Sequence, residues 1–173
     1  TVAGETYTST ASGGAWSVNI PSGDLTALSD DDTVTVEATV EDAAGNPANT
    51  PAMATFDTDF TGPNITIDDV SGDNQIGLAD VQGDLEITGT TDAAAGQAVS
   101  LTFDGQLYTG SVADGGHVWS VIVPQSALQS VLDGAGENGL AQVNVNATVE
   151  DQAGNPAAQA ATSTVDADFN GPS

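Results

Sequence analysis

The sequence predicts an all-β protein built of tandem β-sandwich domains, and three observations carry that reading. Short runs alternate apolar and polar residues with period two. Turn signals recur roughly every 8–12 residues. One block also occurs twice, 109 residues apart. Glu41-Asp42-Ala43-Ala44-Gly45-Asn46-Pro47, leading to Asp57-Thr58-Asp59-Phe60-Thr61-Gly62-Pro63, returns as Glu150-Asp151-Gln152-Ala153-Gly154-Asn155-Pro156, leading to Asp166-Ala167-Asp168-Phe169-Asn170-Gly171-Pro172. Repetition at domain length means a tandem array.

The second copy reads as a complete unit of seven strands. The β-branched run Ile65-Thr66-Ile67 opens the first, near Ile65–Val70. Alternation places the second near Leu85–Thr90, the third near Ala98–Phe103 and the sixth near Ala141–Val149. Asp104-Gly105 is a two-residue hairpin signal that leads into a fourth strand near Gln106–Ala113. Asp114-Gly115-Gly116 marks the next turn, before a fifth strand near Val118–Val123. A seventh follows near Ala158–Val165. Only Gln125–Leu132, after Pro124, could form a helical turn or two, and it lies in a connection. Seven short strands in about 110 residues form the pattern of an Ig-like sandwich.

Residues 1–62 repeat only the later part of this unit. Tyr7 matches Tyr108, Trp16 matches Trp119, Pro21 matches Pro124, and Thr33–Val40 matches the sixth strand. The expected organisation is a partial Ig-like domain over 1–62, lacking its first strands, and a complete one over 63–173. A half-sandwich would expose an apolar face and open sheet edges. Thr1 is therefore expected to lie inside a longer array, the alternative being that another chain supplies the missing strands as a donor.

Charge narrows the function. The chain carries 25 acidic residues and no Lys or Arg, a formal charge of -25. Without a basic patch there is nothing to displace counterions from nucleic acid or to attract an anionic membrane. No apolar run reaches the roughly 20 residues of a membrane span. The 19 Asp outnumber the 6 Glu, a bias that suits both turn formation and oxygen-ligand loops for hard cations. With no Cys, disulfides and thiolate metal sites are absent.

Topology gathers the carboxylates. In an Ig-like sandwich the exit end of one domain faces the entry end of the next. Asp57 and Asp59 lie in the linker, Glu150, Asp151 and Asn155 in the loop between the sixth and seventh strands, and Asp92 between the second and third. All are expected at one junction, with Asp30, Asp31 and Asp32 approaching from the other side. Such a cluster would repel unless a cation is bound, and Ca²⁺ takes six to eight oxygen ligands. Glu41 and Asp42 would face a preceding domain, and Asp166 and Asp168 a following one. Asp166-Ala167-Asp168-Phe169-Asn170-Gly171 matches the first half of an EF-hand-type loop. The twelfth position from Asp57 is Asp68 rather than Glu, so the motif is a calcium-type turn and not an EF-hand. A second candidate cluster is Asp69, Asp73, Asn74, Asp80 and Asp84, in the long segment before the second strand. A bound ion or plain Asp/Gly turn chemistry could organise it.

No enzyme is expected. His117 is the sole His, beside a Gly-Gly turn, and no Lys or second His partners a nucleophile. The runs Ile67–Asn74, Ile87–Thr91, Gly116–Val121 and Ala147–Pro156 resemble the bacterial Ig-like repeats of giant RTX adhesins. The Trp-Ser-Val and Ala-Gly-Asn-Pro elements are the most specific. The resemblance implies an extracellular, cell-surface stalk, with neighbouring Ig-like repeats of the same polypeptide as partners. In it Ca²⁺ between domains stiffens the array, with Glu150, Asp151, Asp57 and Asp59 as bridging ligands. The linker departs from the usual Asp-Thr-Thr-x-Pro by insertion, giving Asp-x-Asp-Phe-x-Gly-Pro. Two other readings are a ligand-binding adhesin domain for a sugar or peptide, and a strand-exchanging subunit of an extracellular filament. The first would need exposed aromatics, whereas Trp16, Trp119 and Phe103 sit in patterns that suggest core.

Overall fold

A computed structural model describes residues 1–170. The chain divides into two units, the second beginning at Thr61.

The first unit holds a one-turn helix α1 (Ser22–Leu25) and an antiparallel pair, β1 (Thr33–Ala38) and β2 (Ala52–Asp57), in the register Thr33↔Asp57 to Ala38↔Ala52. Its buried residues are Val2, Val34 and Thr58. Two strands bury little on their own, because each inward side chain needs a facing layer to exclude water from it.

The second unit is one continuous ladder of seven strands. They are β3 (Gln75–Ile76), β4 (Leu85–Thr90), β5 (Ala98–Phe103), β6 (Gln106–Val112), β7 (Val118–Val123), β8 (Leu140–Val149) and β9 (Ala161–Asp168). Their order is β3-β9-β8-β5-β6-β7-β4. All neighbours are antiparallel except the β3–β9 pair. The period-two pattern works as expected: Val99, Leu101 and Phe103 of β5, and Val143, Val145, Ala147 and Val149 of β8, all point into one core. Asp104 and Gly105 both adopt positive φ (48° and 78°), the geometry that lets a two-residue turn follow the right-handed twist of β5 and β6.

The expected first strand is divided. Ile65 bridges Thr91, and the N–H groups of Thr66 and Asp68 donate to the carbonyls of Thr90 and Thr88 at 2.8 and 2.9 Å. A tight turn over Val70–Gly72 then carries the chain to β3, which pairs with β9. The segment therefore lies along β4 at one end of the ladder and along β9 at the other. Ser71 and Asn74 accept left-handed φ (56° and 59°) to make that crossing. The last strand also departs from expectation, starting at Ala161 and running to Asp168.

The connection after Pro124 is a full helix, α2 (Gln125–Ala135), longer than the one or two turns expected. Leu128, Val131 and Ala135 lie on one face and are buried against the core. Gln125 and Gln129 fix it through side-chain N–H donation to the Val81 carbonyl at 3.1 and 2.6 Å. The Gln125 backbone N–H donates to Asp84 Oδ1 at 2.8 Å.

Trp119 is the hub of the core. It is fully buried, and its indole Nε1–H donates to the Thr66 carbonyl at 3.0 Å. The ring lies directly over Gly89: a Cβ there would come within 2.0 Å of the Thr66 oxygen and 2.6 Å of Trp119 Cζ2. Gly89→Ala is therefore expected to destabilise the domain by about 1–3 kcal/mol through overpacking. Gly134, exposed in α2 with nothing near its Cβ position, gives the opposite sign. Gly134→Ala should stabilise by about 0.5–1 kcal/mol. Urea unfolding midpoints of the two variants check both signs.

Candidate metal centre

The repeated acidic loop has the same architecture in both units, and its carboxylate closes it. In the first, Asp42 accepts from the N–H groups of Ala44 and Asn46 at 2.8 and 2.9 Å and from Asn46 Nδ2 at 2.9 Å. In the second, Asp151 accepts from the Asn155 N–H at 2.8 Å and from Asn155 Nδ2 at 2.9 Å. Backbone bonds repeat as well: Asp42 N–H to Asn46 O at 2.9 Å, and Asp151 N–H to Asn155 O at 3.0 Å. Gly45 and Gly154 take φ of 84° and 89°, which only glycine adopts without strain. Glu41 and Glu150 bridge Pro47 and Pro156 at the mouth of each loop, with exposed carboxylates.

This hydrogen bonding sets the charge state. The Asn46 side chain and then the Asn46 and Ala44 N–H groups hold the Asp42 carboxyl below the ordinary aspartate value. Desolvation pushes Asp151 up, but the Asn155 side chain and the N–H groups of Asn155, Ala153 and Gly154 together outweigh it, and its net shift is also downward. Both loops therefore present an anion at neutral pH.

In the second unit the linker seats on this loop. Gly62 lies so close to Pro156 that a Cβ would fall 1.8 Å from the Pro156 carbonyl oxygen. Pro63 is buried beside it. Asp92, in the β4–β5 loop, accepts from the Asn64 N–H and Nδ2, both at 2.7 Å. Thr91 Oγ1 donates to the Asn64 carbonyl at 2.6 Å. The Asn64 side chain and then its N–H lower the Asp92 carboxyl from its ordinary value. The linker residues 62–64, the β8–β9 loop and Asp92 thus meet at one end of the second unit.

The remaining candidates are placed as follows. Asp57, at the end of β2, accepts from Thr33 Oγ1 at 2.6 Å. Asp59 follows it, exposed, next to the buried Thr58, whose hydroxyl donates to the Ser29 carbonyl at 2.6 Å. Asp30 Oδ1 accepts from the Phe60 N–H at 2.6 Å, within the first unit. In the crossing segment, Asp69 takes a hydrogen bond from Asn74 Nδ2 (2.6 Å), Asp73 from the Gln75 N–H (3.0 Å), and Asp80 from Ser71 Oγ (2.5 Å) and the Gly77 N–H (2.8 Å). Turn chemistry organises that segment. Asp166 accepts from Gln142 Nε2 at 3.1 Å and Asp168 from the Asn170 N–H at 2.9 Å.

Among the described residues no three His, Asp or Glu side chains gather into a group able to hold a metal ion. The carboxylates nonetheless form a donor set of hard oxygen type, and Asp42 Oδ2 and both oxygens of Asp92, each accepting from one neighbouring donor, retain acceptor capacity. That chemistry fits Ca²⁺. Sequence reasoning named Asn155 and Asn74 beside the carboxylates as candidate ligands, not as the donors that close the turns, although Asp-x-x-x-Asn in both loop copies was the available signal.

No protein-family model matches the chain, and no curated protein sequence does. Among solved structures, it superposes on a Ca²⁺-stabilized adhesin that helps an Antarctic bacterium reach out and bind ice. The TM-score is 0.53 at 29% identity, over 91% of this chain and 36% of that one. The likeness is one of fold, in a mostly β chain whose second unit is a seven-stranded sheet. A bacterial immunoglobulin-like domain of the M. primoryensis ice-binding adhesin matches at TM-score 0.43 and 26% identity, over 64% of this chain and 99% of that one. A tetra-tandem repeat from the extending region of a large adhesion protein matches at TM-score 0.41 and 23% identity, over 82% and 32%. The chain spans about a third of the length of the Antarctic adhesin structure.

Asp92 gives a pH-resolved test of this end of the second unit. Its lowered pKa means the anchor on Asn64 contributes fully above the ordinary aspartate value near pH 4. That contribution fades as pH falls through the lower folded value. Asp92→Ala should cost about 1 kcal/mol at pH 7, allowing for solvent screening. The cost should shrink as pH falls below the ordinary aspartate value, as urea denaturation at pH 7 and at acid pH will show.

Proposed function

We propose that the chain is an extender segment of a bacterial cell-surface adhesin, stiffened by Ca²⁺ at its domain junctions. One observation carries the reading: the same anionic loop, closed by Asp and Asn, stands in both units of a chain without Lys or Arg. The likeness to a Ca²⁺-stabilized bacterial adhesin supports it. The role is structural and extracellular, with neighbouring Ig-like repeats of the same polypeptide as partners.

The mechanism is electrostatic. Asp57 and Asp59 from the linker, with Glu150, Asp151, Asn155 and Asp92, would hold the ion at the complete junction. Glu41 and Asp42 would serve toward a preceding repeat, and Asp166 and Asp168 toward a following one. Asp69, Asp73 and Asp80 form a separate, weaker candidate, since their turn is already closed without an ion. Bound Ca²⁺ replaces carboxylate repulsion with shared coordination and so restricts the linker.

Calorimetric titration of the chelator-treated protein with Ca²⁺ tests this reading. Saturating Ca²⁺, at about 100 times Kd, should add roughly 2.7 kcal/mol of stability, read as a rise in Tm. Asp57→Asn with Asp59→Asn, and separately Glu150→Gln, should each reduce that rise while leaving Tm in EDTA unchanged or higher. Equal Tm values in EDTA and Ca²⁺ for the wild-type chain would sink it.

A further inference from the structure

A cavity of about 240 Å³ opens on the second unit between the β5–β6 hairpin and the first turns of α2. Phe103 is its buried floor, Tyr108 and Ala127 are half-buried walls, and Asp104, Gln106 and Ser126 form an exposed rim. Sites for drug-sized ligands run to roughly 300–1,000 Å³, so this one suits a single small ring. It stands at the Phe103 end of β5, whereas Asp92 and the β8–β9 loop stand at the Ala98 end, about 20 Å of strand away. Among the described residues, the side chains of Asp104, Gln106, Tyr108 and Ser126 have no hydrogen-bond partner.

The first unit shows the same place with its hydroxyl already engaged. Val2 and Glu5 exchange hydrogen bonds of 2.9 Å across Ala3-Gly4, at φ 47° and 87°. Phe103 and Gln106 pair across Asp104-Gly105 in the same way, at φ 48° and 78°. Tyr7 therefore corresponds to Tyr108, and Asp24, counted from Pro21, corresponds to Ala127, counted from Pro124. The Tyr7 hydroxyl donates to Asp24 Oδ2 at 2.8 Å. That bond first, with the charge of Glu5 among the lesser causes, pushes the Tyr7 hydroxyl above its ordinary value. In the second unit Ala127 replaces Asp24 and Gln106 replaces Glu5. The Tyr108 hydroxyl loses its internal acceptor, and the space of a carboxylate opens beside it.

These replacements also decide the charge of what fits. A cation would be held best by the two carboxylates of the first unit, and both are gone. One carboxylate, one amide and two hydroxyls remain around an aromatic wall. Carboxylate and amide oxygens accept from hydroxyl groups, while the amide N–H and the Tyr and Ser hydroxyls can donate to them. The C–H face of a sugar ring packs on the electron-rich face of an aromatic ring. We propose that this cavity binds one neutral hexopyranose, its ring against Tyr108 and its hydroxyls shared among Asp104, Gln106, Tyr108 and Ser126. The site is separate from the extender role and needs no Ca²⁺.

Saturation-transfer NMR of the intact chain in EDTA tests the proposal. The probes are the methyl α-pyranosides of glucose, mannose and galactose, with tetramethylammonium as a cationic competitor. At least one glycoside should give a saturable signal, with Kd on the order of 1–10 mM. Ala127→Asp restores the acceptor of the first unit, and Asp in the first turn suits the N-terminus of α2. Tyr108→Phe removes the hydroxyl alone. Each should weaken binding at least about tenfold. The free hexose, run beside its methyl glycoside, separates a soluble sugar from a glycan end, and binding of either supports the proposal. No signal from any of the sugars, displacement by tetramethylammonium, or undiminished binding in both variants overturns it.

Discussion

Every side-chain carboxylate in this protein has to be stabilised without a Lys or Arg partner. That constraint shapes the structure. The donors that answer it are amides and hydroxyls: Asn46 and Asn155 for the repeated loops, Asn64 for Asp92, Asn74 for Asp69, and Thr33 and Thr88 for Asp57 and Asp68. Neutral donors fix a carboxylate in place but leave its charge uncancelled. The result is a set of carboxylates held by neutral donors, with those of Asp42, Asp92 and Asp151 lowered below the ordinary aspartate value. A hard cation is the natural complement of such a surface.

The sandwich holds these loops through shared backbone rather than a large core. The segment from Ile65 to Ile76 touches both ends of the ladder and also carries Asp69 and Asp73. Immediately before it, Gly62 lies against the β8–β9 loop. Linker, first strand and anionic loop are thus mechanically continuous within the second unit, so restraint applied to the linker reaches the sheet directly. In an extender this continuity would carry tension along the array.

Much of the fold was legible in the sequence because period-two alternation and Asp-Gly turns are local signals. β4 through β8 lie where the pattern puts them. The split of the first strand was not legible, since β3 is only Gln75–Ile76 and exists through its pairing with β9. The helix α2 was underread because Gly134 and its Gln and Ser residues mask the buried Leu128, Val131 and Ala135. Trp16 shows the limit of reasoning by repeat. Its match to Trp119 is real in sequence, yet burial requires a glycine and a carbonyl on strands that the first unit does not contain. At the site, topology gathered Asp57 and Asp59 with the β8–β9 loop and Asp92, whereas the residues seen against that loop and Asp92 within the second unit are Gly62 and Asn64. The Asp–Asn closures were not legible, because a ligand and a turn-closing acceptor look alike when only residue types are read.

In the proposed role, Ca²⁺ turns electrostatic repulsion into stiffness. Small-angle scattering of the intact chain, first in EDTA and then in millimolar Ca²⁺, measures this directly. A longer maximum dimension with a narrower distance distribution in Ca²⁺ is the predicted result. Superimposable profiles in the two buffers would contradict it.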